Sequence, residues 1–82
     1  MRARRGTVKF DVVKCYWRDA QTYDTWHELS EIEDECPLIC SVGFLVKSTK
    51  DIIVIATTVA MDGMSNAGIS IPIGMIEKME KL

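Results

Sequence analysis

Two apolar, strand-forming runs, Leu38–Lys47 and Asp51–Ala60, are joined only by Ser48-Thr49-Lys50-Asp51. So short a link ties neighbouring antiparallel strands and leaves no room for a parallel crossover. A hairpin therefore sits at the centre of the 82-residue chain, and the rest must be arranged around it. In the first run the even positions, Leu38, Cys40, Val42, Phe44 and Val46, are all apolar, while the odd ones include Ser41, Gly43 and Lys47. A glycine inside a strand marks strong bending or close approach of another backbone. The second run is rich in β-branched residues: Ile52, Ile53, Val54, Ile55, Thr57, Thr58 and Val59.

The flanks supply further strands. Residues 7–18 alternate with period two through Val8, Phe10 and Val12; then the parity flips to Val13, Cys15 and Trp17. Such a flip is what a β-bulge or sharp bend produces. Asp19–Asp24 is rich in turn formers, and Thr25 with Glu28 has the spacing of a capping box for a short helix. Trp26, Leu29 and Ile32 would form its apolar stripe, and Pro37 stops it. Met61–Gly68 reads as a loop, and Ile69–Ile73 as a short strand that Pro72 places at an edge or an end. In Gly74–Leu82 the apolar residues fit either a helix or a helical turn followed by a closing strand.

This order predicts a mainly β protein, a small bent SH3-like or Sm-like barrel. It would carry one short helix after the first strand and a helical turn near the C-terminus. Residues 1–6 form a basic arm, and residues 7–82 a single barrel-like domain. The competing architecture is an open sheet crossed by a C-terminal helix.

Charge narrows the function classes. The net formal charge is −2, but residues 1–18 carry +5 and residues 19–35 carry −7 with no Lys or Arg. An acidic block of that size opposes binding along a polyanion, so a duplex-binding role is disfavoured. Arm and block are expected to pair within the chain or between subunits. A small domain with a limited core and aliphatic residues on both faces of Ile52–Ala56 is expected to be a homo-oligomer.

Cys15, Cys36 and Cys40 are an odd number of cysteines without the spacing of a zinc site. In an extended strand, Cys36 and Cys40 would stand roughly 13 Å apart, too far to bridge. Free thiols point to a reducing cytoplasm. No apolar stretch follows the first arginines in the manner of a signal peptide, and the uncharged run Gly63–Ile76 is too short and polar to span a membrane. A soluble, intracellular protein is expected.

The order Trp17-x-Asp19-Ala20, Trp26, Ser41-Val42-Gly43-Phe44-Leu45-Val46, Asp51-x-Ile53-x-Ile55-Ala56 and Ile71-Pro72-x-x-x-Ile76 resembles a group of small proteins of tailed bacteriophages. The resemblance covers residues 12–82. It implies a role, in the cytoplasm of an infected bacterium, like that of phage sponges that bind nucleotide second messengers of the CBASS and Thoeris defences without turnover. The other reading is a structural or interaction module of the phage, a virion component or host-protein inhibitor, with no small ligand.

For a nucleotide ligand the chemistry selects particular residues. Trp17, Tyr23 and Trp26 offer rings for base stacking, with His27 beside them. Arg18 would hold phosphate, and Asp19 would read a base edge. Thr57 and Thr58 place hydroxyls at the end of an aliphatic strand. Ser65 and Asn66 lie in the 62–68 loop, where backbone N–H groups would form an anion nest. No catalytic constellation, metal site or cofactor fingerprint is present: His27 is the only histidine, and the glutamates of residues 28–35 lack the calcium-loop pattern. All three sulfurs are expected to react when the denatured, unreduced protein is alkylated and weighed. Only one modified cysteine would mean a disulfide.

Overall fold

A computed structural model describes residues 9–82; the basic arm assigned to residues 1–6 lies outside them. Five strands form one antiparallel sheet: β1 Val12–Arg18, β2 Leu38–Ser48, β3 Ile52–Val59, β4 Ser65–Pro72 and β5 Ile76–Lys81. Their spatial order is β4-β3-β2-β1-β5. The central hairpin is present as the sequence requires, with its turn tied by the Thr49 N–H donating to the Ile52 carbonyl at 2.9 Å. The C-terminal segment is a 3-10 turn at Ile73–Met75 followed by a strand that returns beside β1. No helix crosses the sheet among the described residues. β4 and β5 occupy opposite edges, so the sheet is not closed into a barrel.

The core is formed by one face of this sheet folding toward itself. Val13, Cys15 and Trp17 of β1 pack with Ile53 and Ile55 of β3 and Ile71 of β4, supported by Ile39, Leu45 and Ile76. The parity change in the first strand has a simpler origin than a bulge. Ladder pairing begins at Val12, and from there the odd positions face inward. The register irregularity of β1 falls later, between Tyr16 and Trp17 where it meets β5; a second one lies between Leu45 and Lys47 of β2.

The inner face of β2 is its less apolar one. Ile39, Ser41, Gly43 and Leu45 face the core, while Leu38, Cys40 and Val42 are exposed on the outside. Sharp bending explains this choice, because a concave face has little room. A Cβ on Gly43 would stand 2.7 Å from the Ala56 carbonyl oxygen and 2.7 Å from Ile55 Cγ2. Ser41 is small enough to admit the Trp17 indole, whose Nε1–H donates to Ser41 Oγ at 3.0 Å.

The second half of the segment read as a loop at 61–68 is strand. β4 starts at Ser65, and only residues around Met61–Gly63 turn. The Ala60 N–H donates to the Met64 carbonyl at 2.7 Å and the Gly63 N–H to the Ala60 carbonyl at 3.0 Å, with Gly63 at φ +97°. That left-handed position suits glycine. Beyond Ala56 and Gly68 the β3–β4 pair has no third strand beside it among the described residues, and it projects as an exposed ribbon.

Gly43→Ala is expected to destabilise the protein by about 1–3 kcal/mol, because the added methyl meets the Ala56 backbone, which cannot turn away, as well as the Ile55 side chain. Urea unfolding of the two proteins measures it. An unchanged midpoint would mean that β3 does not approach Gly43 as described.

Candidate functional site

The residues selected for ligand chemistry separate into three places. Trp17 belongs to the core, 7% exposed, with its only polar atom bonded to Ser41. It has no free face for a base, so its assignment to a stacking site is corrected to a packing role. Arg18, at the end of β1, is already engaged. Its guanidinium donates to the Cys36 carbonyl at 2.9 Å and lies 3.4 Å from Glu35 and 3.5 Å from Glu77. Two carboxylates neutralise the charge that a phosphate would need. Asp19 is a turn residue: its Oδ1 accepts from the Ala20 N–H at 2.8 Å, and its own N–H donates to the Pro37 carbonyl at 3.0 Å.

These contacts close the base of a lobe running from residue 19 to residue 37. Asp19 to Pro37 and Arg18 to Cys36 join its two ends beside the sheet. Further out, the Tyr23 hydroxyl accepts from the Glu33 N–H at 3.0 Å, and the Tyr23 and His27 rings meet edge to face at 5.2 Å between centroids. His27 Nδ1 lies 2.9 Å from the Thr25 carbonyl oxygen. The helix expected to start at Thr25 is a single 3-10 turn at Leu29–Glu31. Its capping box is shifted to Glu28 and Glu31, the Glu28 N–H donating to Glu31 Oε1 at 3.0 Å. Seven carboxylates in seventeen residues disfavour a longer helix by mutual repulsion.

Trp26 stands at the outside of this lobe. Its ring is 101% exposed, and Leu29 is 88% exposed. Neither serves as a staple onto the sheet. The lobe therefore presents an unpacked indole and a leucine among carboxylates, on a segment whose ends and middle are fixed by hydrogen bonds.

The third place is the ribbon. Thr58, Ser65 and Asn66 line a shallow cleft of about 330 Å³ with Ala60 and Met64. Thr57 Oγ1 is 3.5 Å from Thr58 Oγ1. The proposed anion nest is not formed there. The Met64 N–H is taken by Asp62 Oδ1 at 3.1 Å and the Ala67 N–H by Asn66 Oδ1 at 2.6 Å, while Ser65 and Asn66 belong to the ladder with β3.

Burial pushes the Cys15 thiol pKa up, which keeps it protonated and unreactive, whereas Cys36 and Cys40 are exposed. All three are free thiols. On the outer face, Lys14 lies 5.7 Å from the centre of the Tyr16 ring; Tyr16 first, and Glu80 next, raise its pKa and hold it cationic. Among the described residues no group of three His, Cys, Asp or Glu side chains is placed to hold a metal ion. No helix among them is long and apolar enough to cross a membrane.

Comparison with known proteins leaves the site to be read on its own: no family model, curated protein or solved structure matches the chain.

The two tryptophans are expected to respond oppositely to truncation. Trp17→Ala leaves a cavity in a small core and costs about 3–5 kcal/mol, most of what such a domain has. Trp26→Ala changes stability by less than about 0.5 kcal/mol. Thermal melts of both variants measure this; comparable losses would show that Trp26 is packed.

Proposed function

We propose that this protein is a non-catalytic interaction module whose acidic lobe docks a basic protein surface, with Trp26 as its anchor. The observation that carries this reading is the fully exposed Trp26 ring on a fixed lobe. A large apolar ring held in water has no benefit for the free chain, and tryptophan is the side chain most often found at the energetic centre of protein interfaces. Charge chooses between the two kinds of partner that an exposed indole would suit. Residues 19–35 carry seven carboxylates and no Lys or Arg, which repels nucleotide phosphates and attracts lysines and arginines. This is the interaction-module reading of the resemblance to small phage proteins, with a protein of the infected bacterium as partner. The order β4-β3-β2-β1-β5, with β5 returning beside β1 after a helical turn, supports an SH3-like topology as the scaffold.

Sequestration of a nucleotide second messenger is the second reading. The cleft on the ribbon favours it: Thr58, Ser65 and Asn66 offer hydroxyl and amide groups beside Met64, away from the acidic block. Such a site would take a base edge and ribose more readily than phosphate, since no cation among the described residues lines it.

One series of measurements separates the readings. A protein captured from bacterial lysate, then purified, is titrated with the wild type and with Trp26→Ala. The anchor role predicts at least about a thirtyfold loss of affinity, equivalent to about 2 kcal/mol at an interface hot spot. Affinity should also fall as salt rises. Equal affinity for both proteins would remove Trp26 from the site. In parallel, melting is followed with a panel of cyclic di- and trinucleotides and cyclic ADP-ribose derivatives. A ligand at a thousandfold its Kd adds about 4 kcal/mol, and a stabilisation of that size, lost in an Asn66→Ala variant, would replace the first reading by the second.

A further inference from the structure

The two edges of the sheet are built differently. β5, at one edge, carries Glu77, Lys78, Glu80 and Lys81 in six residues, and each belongs to an ion pair: Glu77 with Arg18, Lys78 with Glu80, and Lys81 with Asp11. Charges of this kind protect an edge from pairing with another strand. β4, at the other edge, reads Ser65-Asn-Ala-Gly-Ile-Ser-Ile-Pro72 and carries no charge at all. Only Ile71 of its eight residues is buried. Ile69, on the same face as Ile71, is left 38% exposed.

The direction of its backbone groups follows from the ladder with β3. The Ile73 N–H donates to the Asp51 carbonyl at 2.9 Å. Alternation along an antiparallel pair then turns the N–H and C=O groups of Ile71 and Ile69 toward β3. Those of Ser70 and Gly68 point out of the sheet, and Pro72 offers only a carbonyl there. The regular stretch ends at Ala67, which has φ +56°.

We propose that the β4 edge is a homodimer interface, in which two copies pair β4 to β4 antiparallel about a two-fold axis and form one continuous ten-stranded sheet. A second copy is the occupant that the edge itself specifies. An uncharged strand brings no like charges together when it meets itself, and its outward donors and acceptors are self-complementary. One register pairs both residues that offer an N–H and a C=O outward. With Ile69 opposite Ile69 of the other copy on the axis, Ser70 of each chain exchanges both backbone bonds with Gly68 of the other. Placing Ser70 on the axis would instead set Gly68 against Pro72, which lacks the N–H. In the favoured register the two Ile69 side chains meet on the core face and cover the apolar surface that each leaves exposed. This inference does not depend on the Trp26 lobe, and Trp26→Ala should leave the dimer intact.

The test is light scattering of the full chain at micromolar concentration, with two variants. Ser70→Pro removes only an outward N–H, so the monomer fold is kept, as circular dichroism will verify. Loss of that bond from both copies should weaken dimerisation by about tenfold or more. Residues facing on the axis of a non-hydrogen-bonded pair have Cα atoms about 4.5 Å apart, within disulfide reach. Ile69→Cys, in a chain also bearing Cys36→Ser and Cys40→Ser, should therefore oxidise to a covalent dimer, and Ser70→Cys in the same chain should not. A monomeric wild type would overturn the proposal. A dimer indifferent to Ser70→Pro, or one in which Ile69→Cys fails to cross-link, would show assembly through another surface. A ring or polymer, as β4-to-β5 contacts would build, would also overturn it.

Discussion

Among the described residues, nothing covers the inner face of this sheet except the sheet itself. With no helix packed on it, Val13, Cys15 and Trp17 can be buried only if β3 and β4 bend over far enough for Ile53, Ile55 and Ile71 to reach them. That bend depends on the absence of a side chain at Gly43, where β3 passes closely, and on the small Ser41 that accepts the Trp17 indole. Each inner position of β2 is thus set by what must fit above it. The outer positions, freed from that limit, keep larger apolar residues exposed to water.

A core of this kind is small, and its smallness shapes the rest of the molecule. The lobe of residues 19–37 and the ribbon beyond Ala56 have few apolar partners to rest on. They are held by hydrogen bonds, turn geometry and the Arg18 ion pairs instead. Elements fixed in this way present their side chains outward. The lobe offers an indole in a negative field; the ribbon offers hydroxyls, an amide and methionine. A division of labour follows, in which Trp17 and Arg18 support the structure while Trp26, only a few residues later, is free to meet another molecule.

The strands were legible in the sequence because β-branched residues and a four-residue link leave few alternatives at Leu38–Ser48 and Ile52–Val59. The inward face of β2 was not legible. Hydrophobicity favours Leu38, Cys40, Val42 and Phe44, but bending favours small residues, and only the three-dimensional approach of β3 decides between them. Ser65 to Gly68 looked like a loop because Ser, Asn and Gly are turn formers; pairing with β3 overrides that preference. At the candidate site, the residue types were suggestive and their company was not visible. Arg18 reads as a free cation until Glu77, 59 positions away, is seen beside it. Trp17 and Trp26 look equivalent in the sequence, and the ladder separates them. The signal that could have distinguished them was local: Trp17 lies in phase with Val13 and Cys15, whereas Trp26 is surrounded by Asp24, His27 and Glu28.

The claim that one tryptophan closes the fold while the other is held out for a partner is tested most directly by hydrogen exchange at the two indole nitrogens. In a spectrum of the nitrogen-15-labelled protein placed in heavy water, the Trp17 Nε1–H, buried and bonded to Ser41, should persist as long as the amides of β1 and β2. The Trp26 Nε1–H should vanish before the first spectrum is complete. Two protected indoles would mean that the lobe folds onto the sheet, and two unprotected ones that the sheet does not close over Trp17; either result would contradict the structure described above.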